Sequence, residues 1–268
     1  MPQLETGTEE LLCDINNRIA LITLNKPHKK NALGDILTPA LRAVLPVVEA
    51  RDDVGCVMIT GTGSAFCAGG DVTEMGGRAP APRPAEERIA ELVKKQKELT
   101  GRIYHLRKPT IAALPGAAAG AGLSIALACD IRIAAESAFV TTAFKNIGLS
   151  GDYGSSWFLP RLIGLARAKT MMYHSSRLSA RACKEIGLVD QVFPDASFRE
   201  DAINYASGIA QGPTIALGKI KQNLQQGLDQ PLEASFELEA SNMIDSSGHD
   251  ESKEAIQAFK EKRDPKFH

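Results

Sequence analysis

Two stretches of small residues carry the first hint of chemistry, Ala65-Phe66-Cys67-Ala68-Gly69-Gly70-Asp71 and Pro115-Gly116-Ala117-Ala118-Ala119-Gly120-Ala121-Gly122. Each follows a run that reads as a strand and precedes helical or turn sequence. Turns of this composition let a ligand oxygen approach the main chain, and a helix N-terminus adds a favourable dipole. Backbone N–H groups there are suited to hold a developing negative charge. Two such donors aimed at one point make an oxyanion hole. Taken alone, either turn is better explained by close packing of strand against helix. Phosphate cradling does not fit: Gly120-x-Gly122 lacks the third glycine of a dinucleotide fingerprint, and no Gly-Lys-Ser/Thr follows either turn.

Side chains near these turns read more plainly. Cys67 has no histidine partner identifiable from spacing and reads as a small packing residue rather than a nucleophile. Asp71 reads as a helix N-cap, and Asp130, after an apolar helix, as the brace of a turn. Trp157 reads as a core or pocket-wall aromatic, and Tyr153 could donate a hydrogen bond into a site. The five cysteines (Cys13, Cys56, Cys67, Cys129, Cys183) are odd in number and lack paired spacings. They therefore frame neither disulfides nor zinc. The five histidines are equally dispersed, so no metal site is expected.

The elements that must position these residues follow from punctuation and period. Leu11 to Ile15 and Ile19 to Leu24 flank Asn16-Asn17 and read as a hairpin. A helix from about Ile36 to Ala50 precedes a strand from Gly55 to Thr60. The stretch from Gly76 to Pro84, rich in Pro, Ala and Gly, has the composition of a flap, and the loop from Gly76 to Arg88 would set pocket size. From Glu86 to Arg107, Ile89, Leu92, Val93, Leu99, Ile103 and Leu106 recur at helical steps and predict one helix with one buried stripe, stopped by Pro109. Strands at Thr110–Leu114, Ile131–Ala134 and Phe139–Thr142 enclose a helix at Gly122–Ala128. This alternation favours an α/β architecture with parallel pairings. After Gly164 helices dominate, broken by an apolar segment from Leu188 to Phe193. Ser179 is a candidate N-cap and Gly187 a helix stop. Amphipathic helices at about Ser197–Ala210, Thr214–Gln226, Pro231–Ser246 and Glu251–Arg263 present faces that need a partner surface.

Composition bounds the function. At 268 residues, 44% apolar and 24% charged, the chain can bury a sizeable core as an ordinary globular protein. A net charge of −1 gives no broad positive field for nucleic acid. The N-terminus, MPQLETGTEELL, has neither a basic n-region nor a long apolar run, so no signal or membrane anchor is expected. A reducing, cytoplasmic setting is expected.

Together, several motifs resemble those of the crotonase superfamily of enoyl-CoA hydratases and isomerases. They are Leu24-Asn25-Lys26-Pro27 with Asn31-Ala32-Leu33, Phe66-Cys67-Ala68-Gly69-Gly70-Asp71, and Lys108-Pro109 leading into Gly116 to Gly122. Ala128-Cys129-Asp130-Ile131, Gly148-Leu149, Leu159 to Gly164, Ala182 to Asp190 and Phe259 to Pro265 continue the match. Each is weak alone, and their order and spacing carry the likeness. It implies an α/β, crotonase-like spiral of strand-strand-helix repeats over residues 1–195 and a C-terminal helical trimerisation region over 196–268. It further implies a homotrimer or homohexamer and an acyl-CoA thioester as substrate, with no cofactor beyond the coenzyme A of that substrate. By position, the N–H groups of Gly70 and Ala121 would hold the thioester oxygen, with Ala68 and Asp71 lining the same turn. Lys26, His28, Lys29 and Lys30, joined by Lys262, would lie near the adenine and phosphates.

The likeness breaks at the acids. The two glutamates that hold water in hydratases correspond here to Ser124 and Phe144, and neither is a base near neutral pH. Asp152 instead matches the catalytic aspartate of dienoyl-CoA isomerases and of the phenylacetate-pathway type enoyl-CoA isomerases, and the surrounding residues look most like the latter. That implies double-bond isomerisation with Asp152 as acid and base, its pKa raised by burial beside Phe144, Trp157 and Phe158. A hydratase, an acyl-CoA hydrolase and a non-catalytic acyl-CoA binding protein on the same fold are the alternatives. For Asp152 alone, a loop or cap role is the plain reading.

Overall fold

The computed structural model describes residues 4–71 and 83–267. The chain opens on an antiparallel hairpin, β1 (Leu11–Asn16) and β2 (Ile19–Leu24). Its turn is Asn17-Arg18, one residue later than expected, and both adopt positive φ (47° and 65°). Two positive φ values suit the right-handed twist of the flanking strands. Arg18 is held there by donating from Nε to Ala210 O (3.2 Å) and from Nη2 to Thr214 Oγ1 (3.1 Å).

After α1 (Leu37–Ala50), the chain runs as pairs of strands: β3 (Cys56–Gly61) and β4 (Ala65–Cys67), β5 (Thr110–Leu114) and β6 (Ala117–Ala119), β7 (Ile131–Ala135) and β8 (Phe139–Thr141). The first of each pair joins a sheet ordered β1-β2-β3-β5-β7-β10, whose last strand is Gln191–Phe193, and the second a sheet ordered β4-β6-β8-β9, whose last strand is Leu178–Ser179. The chain therefore turns a corner between sheets at each repeat and advances as a spiral. Pairings from β2 to β10 across the larger sheet are parallel. Every residue of β3 and β5 is buried, as expected of parallel strands covered on both faces.

The helix expected from Glu86 to Arg107 is present but carries a π turn. It consists of α2 (Ala85–Gln96), a π turn at Lys97–Gly101 and α3 (Arg102–His105). Leu99, Ile103 and Leu106 are buried, but Ile89, Leu92 and Val93 are 62%, 42% and 42% exposed. The extra residue of a π turn shifts the helical phase, so the apolar residues before it do not share the buried face of those after it. Residues 76–82 of the expected flap lie outside the described residues.

Beyond α4 (Ala121–Ala128), α5 (Ser155–Ile163) and α6 (Leu165–His174), the strand β9 (Leu178–Ser179) pairs antiparallel with β8. In α7 (Ala180–Glu185), Ser179 Oγ accepts from Ala182 N as the N-cap, and Gly187 turns at φ 77°. Of the apolar segment after it, only β10 (Gln191–Phe193) is strand.

Helix α8 (Phe198–Ala210) puts Phe198, Ala202, Ala206 and Ala210 into the main core. The core thus extends past residue 195, and the helices not built into it follow Pro213. These are α9 (Thr214–Gly227), α10 (Leu232–Gly248) and α11 (Asp250–Glu261), whose buried residues are only Lys221, Asn242 and Ala258. Polar ties hold α9 to the core: Lys221 Nζ lies 2.9 Å from Asp130 Oδ2, and Gln225 Nε2 donates to Tyr104 O. No helix among the described residues is long and apolar enough to cross a membrane.

Candidate active site

The first small-residue turn leaves β4 and is clamped by Asn31, which is fully buried. Its Nδ2 donates to Thr62 O and Ala65 O, and its Oδ1 accepts from Lys26 N at 2.9 Å. Leu33 N donates to Gly69 O (2.7 Å) and Asp71 N to Leu33 O (2.8 Å). These two bonds flank Gly70 as a parallel bridge, so the alternation of an extended chain points the Gly70 N–H away from Leu33. Among the described residues, that N–H donates to no main-chain or side-chain acceptor.

The second turn lies against the first. Gly120, at φ 51° and ψ −126°, a conformation essentially reserved for glycine, caps α4. Ala121 opens that helix, so its N–H has no intrahelical acceptor and sits at the positive end of the helix dipole. A Cβ on Gly69 (φ 96°) would lie 2.9 Å from Ala119 O and 3.6 Å from Ala121 N. A Cβ on Gly122 would meet the Cys67 side chain at 2.7 Å. Glycine at these points is what lets the turns touch, and two N–H groups on touching turns can act on one oxygen.

Asp152 stands in a loop that bends through positive φ at Gly148, Gly151, Tyr153 and Gly154. Its Oδ1 is buried with no hydrogen-bond partner, and burial pushes the carboxyl up from 3.8 to about 6. The Phe144 ring bridges this loop and the second turn: its edge atoms lie 3.7 Å and 3.8 Å from the points where a Cβ would stand on Gly151 and Gly120. Phe144 therefore closes the space between them. Trp157 goes elsewhere. It stacks edge-on with Tyr104 and Phe158 under the Arg161 guanidinium, 3.8 Å from its ring. With Tyr104 and Lys108 it faces a cavity of about 1270 Å³ between the core and the C-terminal helices, which Gly70, Ala121, Phe144 and Asp152 do not line.

Ser124 has a role that sequence did not suggest. Fully buried, its Oγ lies 3.1 Å from Asp152 O and 3.3 Å from Gly120 O. One hydroxyl therefore ties the aspartate loop to the helix that Ala121 opens. The Tyr153 phenol oxygen, read from sequence as one that could donate into a site, accepts from Arg42 Nη2 at 3.1 Å. Arg42 gave no sequence signal, since it sits inside an ordinary amphipathic helix.

The cationic run is divided. Lys26 is 5% exposed, with Nζ 3.6 Å from Glu10 Oε1 and 3.7 Å from Asp71 Oδ2, and Lys29 Nζ approaches the same Asp71 oxygen at 2.7 Å. Asp71 is thus a buried anion among lysines, and the helix it was expected to cap falls outside the described residues. His28 and Lys30 are exposed, as is Lys262, which ends α11 at φ 57°. Cys67 is buried, its thiol pushed to about 12 by desolvation, which leaves it inert. Asp130 Oδ2 accepts from both Thr110 N and Thr110 Oγ1, bracing the turn into β7. Among the described residues no group of three His, Cys, Asp or Glu side chains is arranged to hold a metal.

Residues 14–268 match the family described as enoyl-CoA hydratase/isomerase. The chain belongs to this family. A Rhodobacter capsulatus protein named "probable enoyl-CoA hydratase" is 37% identical over 95% of this chain and 96% of its own length. The 1,2-epoxyphenylacetyl-CoA isomerase of Escherichia coli is 34% identical over 97% of this chain and 98% of its own. Among solved structures, an enoyl-CoA hydratase from Bacillus anthracis superposes with a TM-score of 0.89 at 33% identity, covering 97% and 100% of the two chains. The fold of this enoyl-CoA hydratase/isomerase family member is accordingly the crotonase-like spiral with C-terminal helices.

Proposed function

We propose that the chain is an enoyl-CoA isomerase, shifting a double bond between the 3,4 and 2,3 positions of an acyl-CoA thioester. The Gly70 and Ala121 N–H groups hold the thioester oxygen. The Asp152 carboxylate removes a proton from C2, the electron pair spreads into the enolate oxygen, and the same carboxyl returns the proton to C4. No water enters the balance. The observation that carries this reading is the Asp152 carboxyl itself, with one oxygen buried and unpartnered and a pKa raised to about 6. Desolvation makes it a stronger base than a free aspartate while leaving it ionised at neutral pH. Loss of one oxyanion donor would cost about 3 kcal/mol of barrier stabilisation. Coenzyme A would lie along His28 and Lys30, and the assembly would be a cytoplasmic homotrimer or homohexamer.

The name of the Rhodobacter relative favours a second reading, hydration of a 2-enoyl-CoA. A panel of straight-chain and aromatic thioesters, each offered as the 3-enoyl-CoA and as the 2-enoyl-CoA in ¹⁸O-water, separates the two. Isomerisation gives 2-enoyl products without solvent oxygen, while hydration gives labelled 3-hydroxyacyl products. Hydrolysis gives a labelled acid. Thioester binding with no turnover would leave only a non-catalytic binding protein.

A further inference from the structure

We propose that Tyr153 and Arg42 form a positioning pair that fixes the Asp152 loop against the two donor turns, a role that rests on the reading of Asp152 as acid and base. Tyr153 directly follows Asp152 and holds φ at 50°, a left-handed conformation unfavourable for a bulky side chain. Such strain persists only where the surroundings impose it. Here they do so through the ring, which is 9% exposed within the main core, and through the phenol oxygen, which accepts from Arg42 Nη2 at 3.1 Å.

Arg42 spans 111 positions of sequence to make this bond. It belongs to α1, the helix that follows Leu33, and Leu33 is the residue whose two main-chain bonds set the Gly70 turn. On its other side the Asp152 loop is tied by Ser124 to the helix that Ala121 opens. The loop is thus linked to both donor turns, through Arg42 towards Gly70 and through Ser124 towards Ala121. Arg42 Nε is buried without a partner, so the guanidinium is kept in this place although its hydrogen bonding is incomplete, which is the cost of holding Tyr153.

The test uses the full-length protein in its native assembly with a 3-enoyl-CoA substrate. Tyr153→Phe, which keeps the ring, is expected to lower kcat about tenfold while KM stays within twofold, as for a displaced base rather than lost binding. A loosened loop admits water, so the acid limb of kcat should move below pH 6, an effect that packing alone would not produce. Arg42→Met should match Tyr153→Phe, the double variant should be no worse than either single one, and Arg42→Lys should recover most of the rate. Wild-type kcat and an unmoved acid limb in Tyr153→Phe, or losses that multiply in the double variant, would overturn the pair. If Tyr153→Phe does not fold, Arg42→Met against Arg42→Lys decides the question by the same readouts. Asp152→Asn run in parallel separates the two levels: full activity there removes the base itself, whereas its inactivity beside an unaffected Tyr153→Phe removes only the pair.

Discussion

The Ser124 hydroxyl lies 3.1 Å from the main-chain oxygen of Asp152, joining the helix that begins at Ala121 to the loop that presents the carboxyl. The resemblance to hydratases implies a glutamate at this position, and here a short neutral side chain ties down the Asp152 loop instead. Ser124→Ala should therefore loosen Asp152 without removing it. We expect about 1 kcal/mol less stability, the net worth of one buried hydrogen bond, and a fall in kcat with KM little changed. A kcat equal to wild type, measured beside urea denaturation, would show that the bond does not position the base.

Asp152→Asn should lower turnover about a hundredfold or more and leave thioester affinity intact. It should also stabilise the fold. The folded carboxyl has its pKa raised from 3.8 to about 6, so its contribution to stability is complete below pH 4 and is lost as pH rises through 6. The asparagine escapes that loss. The gain above pH 7 is ~1–3 kcal/mol, the upper end being the full rise in pKa and the lower end allowing for partial solvent screening. Melting curves at pH 4 and pH 8 check the sign: the variant should match wild type at pH 4 and melt higher at pH 8. A lower melting temperature at pH 8 would contradict the burial of this carboxyl.

Gly69→Ala tests the proposed oxyanion donors apart from the proposed base. At φ 96°, and with a Cβ placed 2.9 Å from Ala119 O, the alanine must push the first turn off the second and move the Gly70 N–H. Loss of one donor predicts about a hundredfold lower kcat/KM, with the acid limb still near pH 6 because Asp152 is untouched. An unaltered rate in a folded Gly69→Ala would mean that the approach of the two turns does not matter to turnover.

What sequence made legible and what it did not divide along physical lines. Strands β3 and β5 are short apolar runs bounded by turn residues, and β5 begins and ends where punctuation places it. The Ser179 cap and the Gly187 stop likewise depend on local backbone chemistry, so they read from local sequence. The π turn at Lys97–Gly101 has no compositional mark, and the buried stripe predicted across it fails at Ile89, Leu92 and Val93. Long-range bonds are equally silent: nothing near Arg42 announces Tyr153, and nothing near Ser124 announces Asp152. Lys26 shows the limit of reading charge as solvent-facing. Its partners Glu10 and Asp71 come from distant turns, so a residue expected at the coenzyme phosphates lies buried in an ion pair.

The C-terminal helices carry their own expectation. Leu224, Phe236, Met243, Ile244 and Phe259 are 69%, 58%, 71%, 74% and 86% exposed, more apolar area than scattered surface residues need. A trimer or hexamer of the 28.7 kDa chain would cover it, through a closed symmetric interface. Light scattering at micromolar concentration should give about three or six times that mass, and a monomer would refute the expectation.

The missing acids permit a constructive test. Ser124→Glu with Phe144→Glu places two carboxyls beside the second turn and removes the ring that fills the gap between Gly120 and Gly151. Hydration needs a held water and a proton donor near the carbons next to the thioester, and this pair would supply both. The same change breaks the tie from Ser124 to Asp152, so isomerisation should fall as hydration of a 2-enoyl-CoA rises. Both sites are almost completely enclosed, at 0% and 7% exposure, so one carboxyl must stay neutral or find a partner and the fold should lose stability. The product ratio is the measurement, read by mass spectrometry as 3-hydroxyacyl against 2-enoyl thioester from a folded double variant. No gain in the hydroxy product, or a wild type that already hydrates crotonyl-CoA as fast as a dedicated hydratase, would mean that Ser124 and Phe144 are not what excludes water.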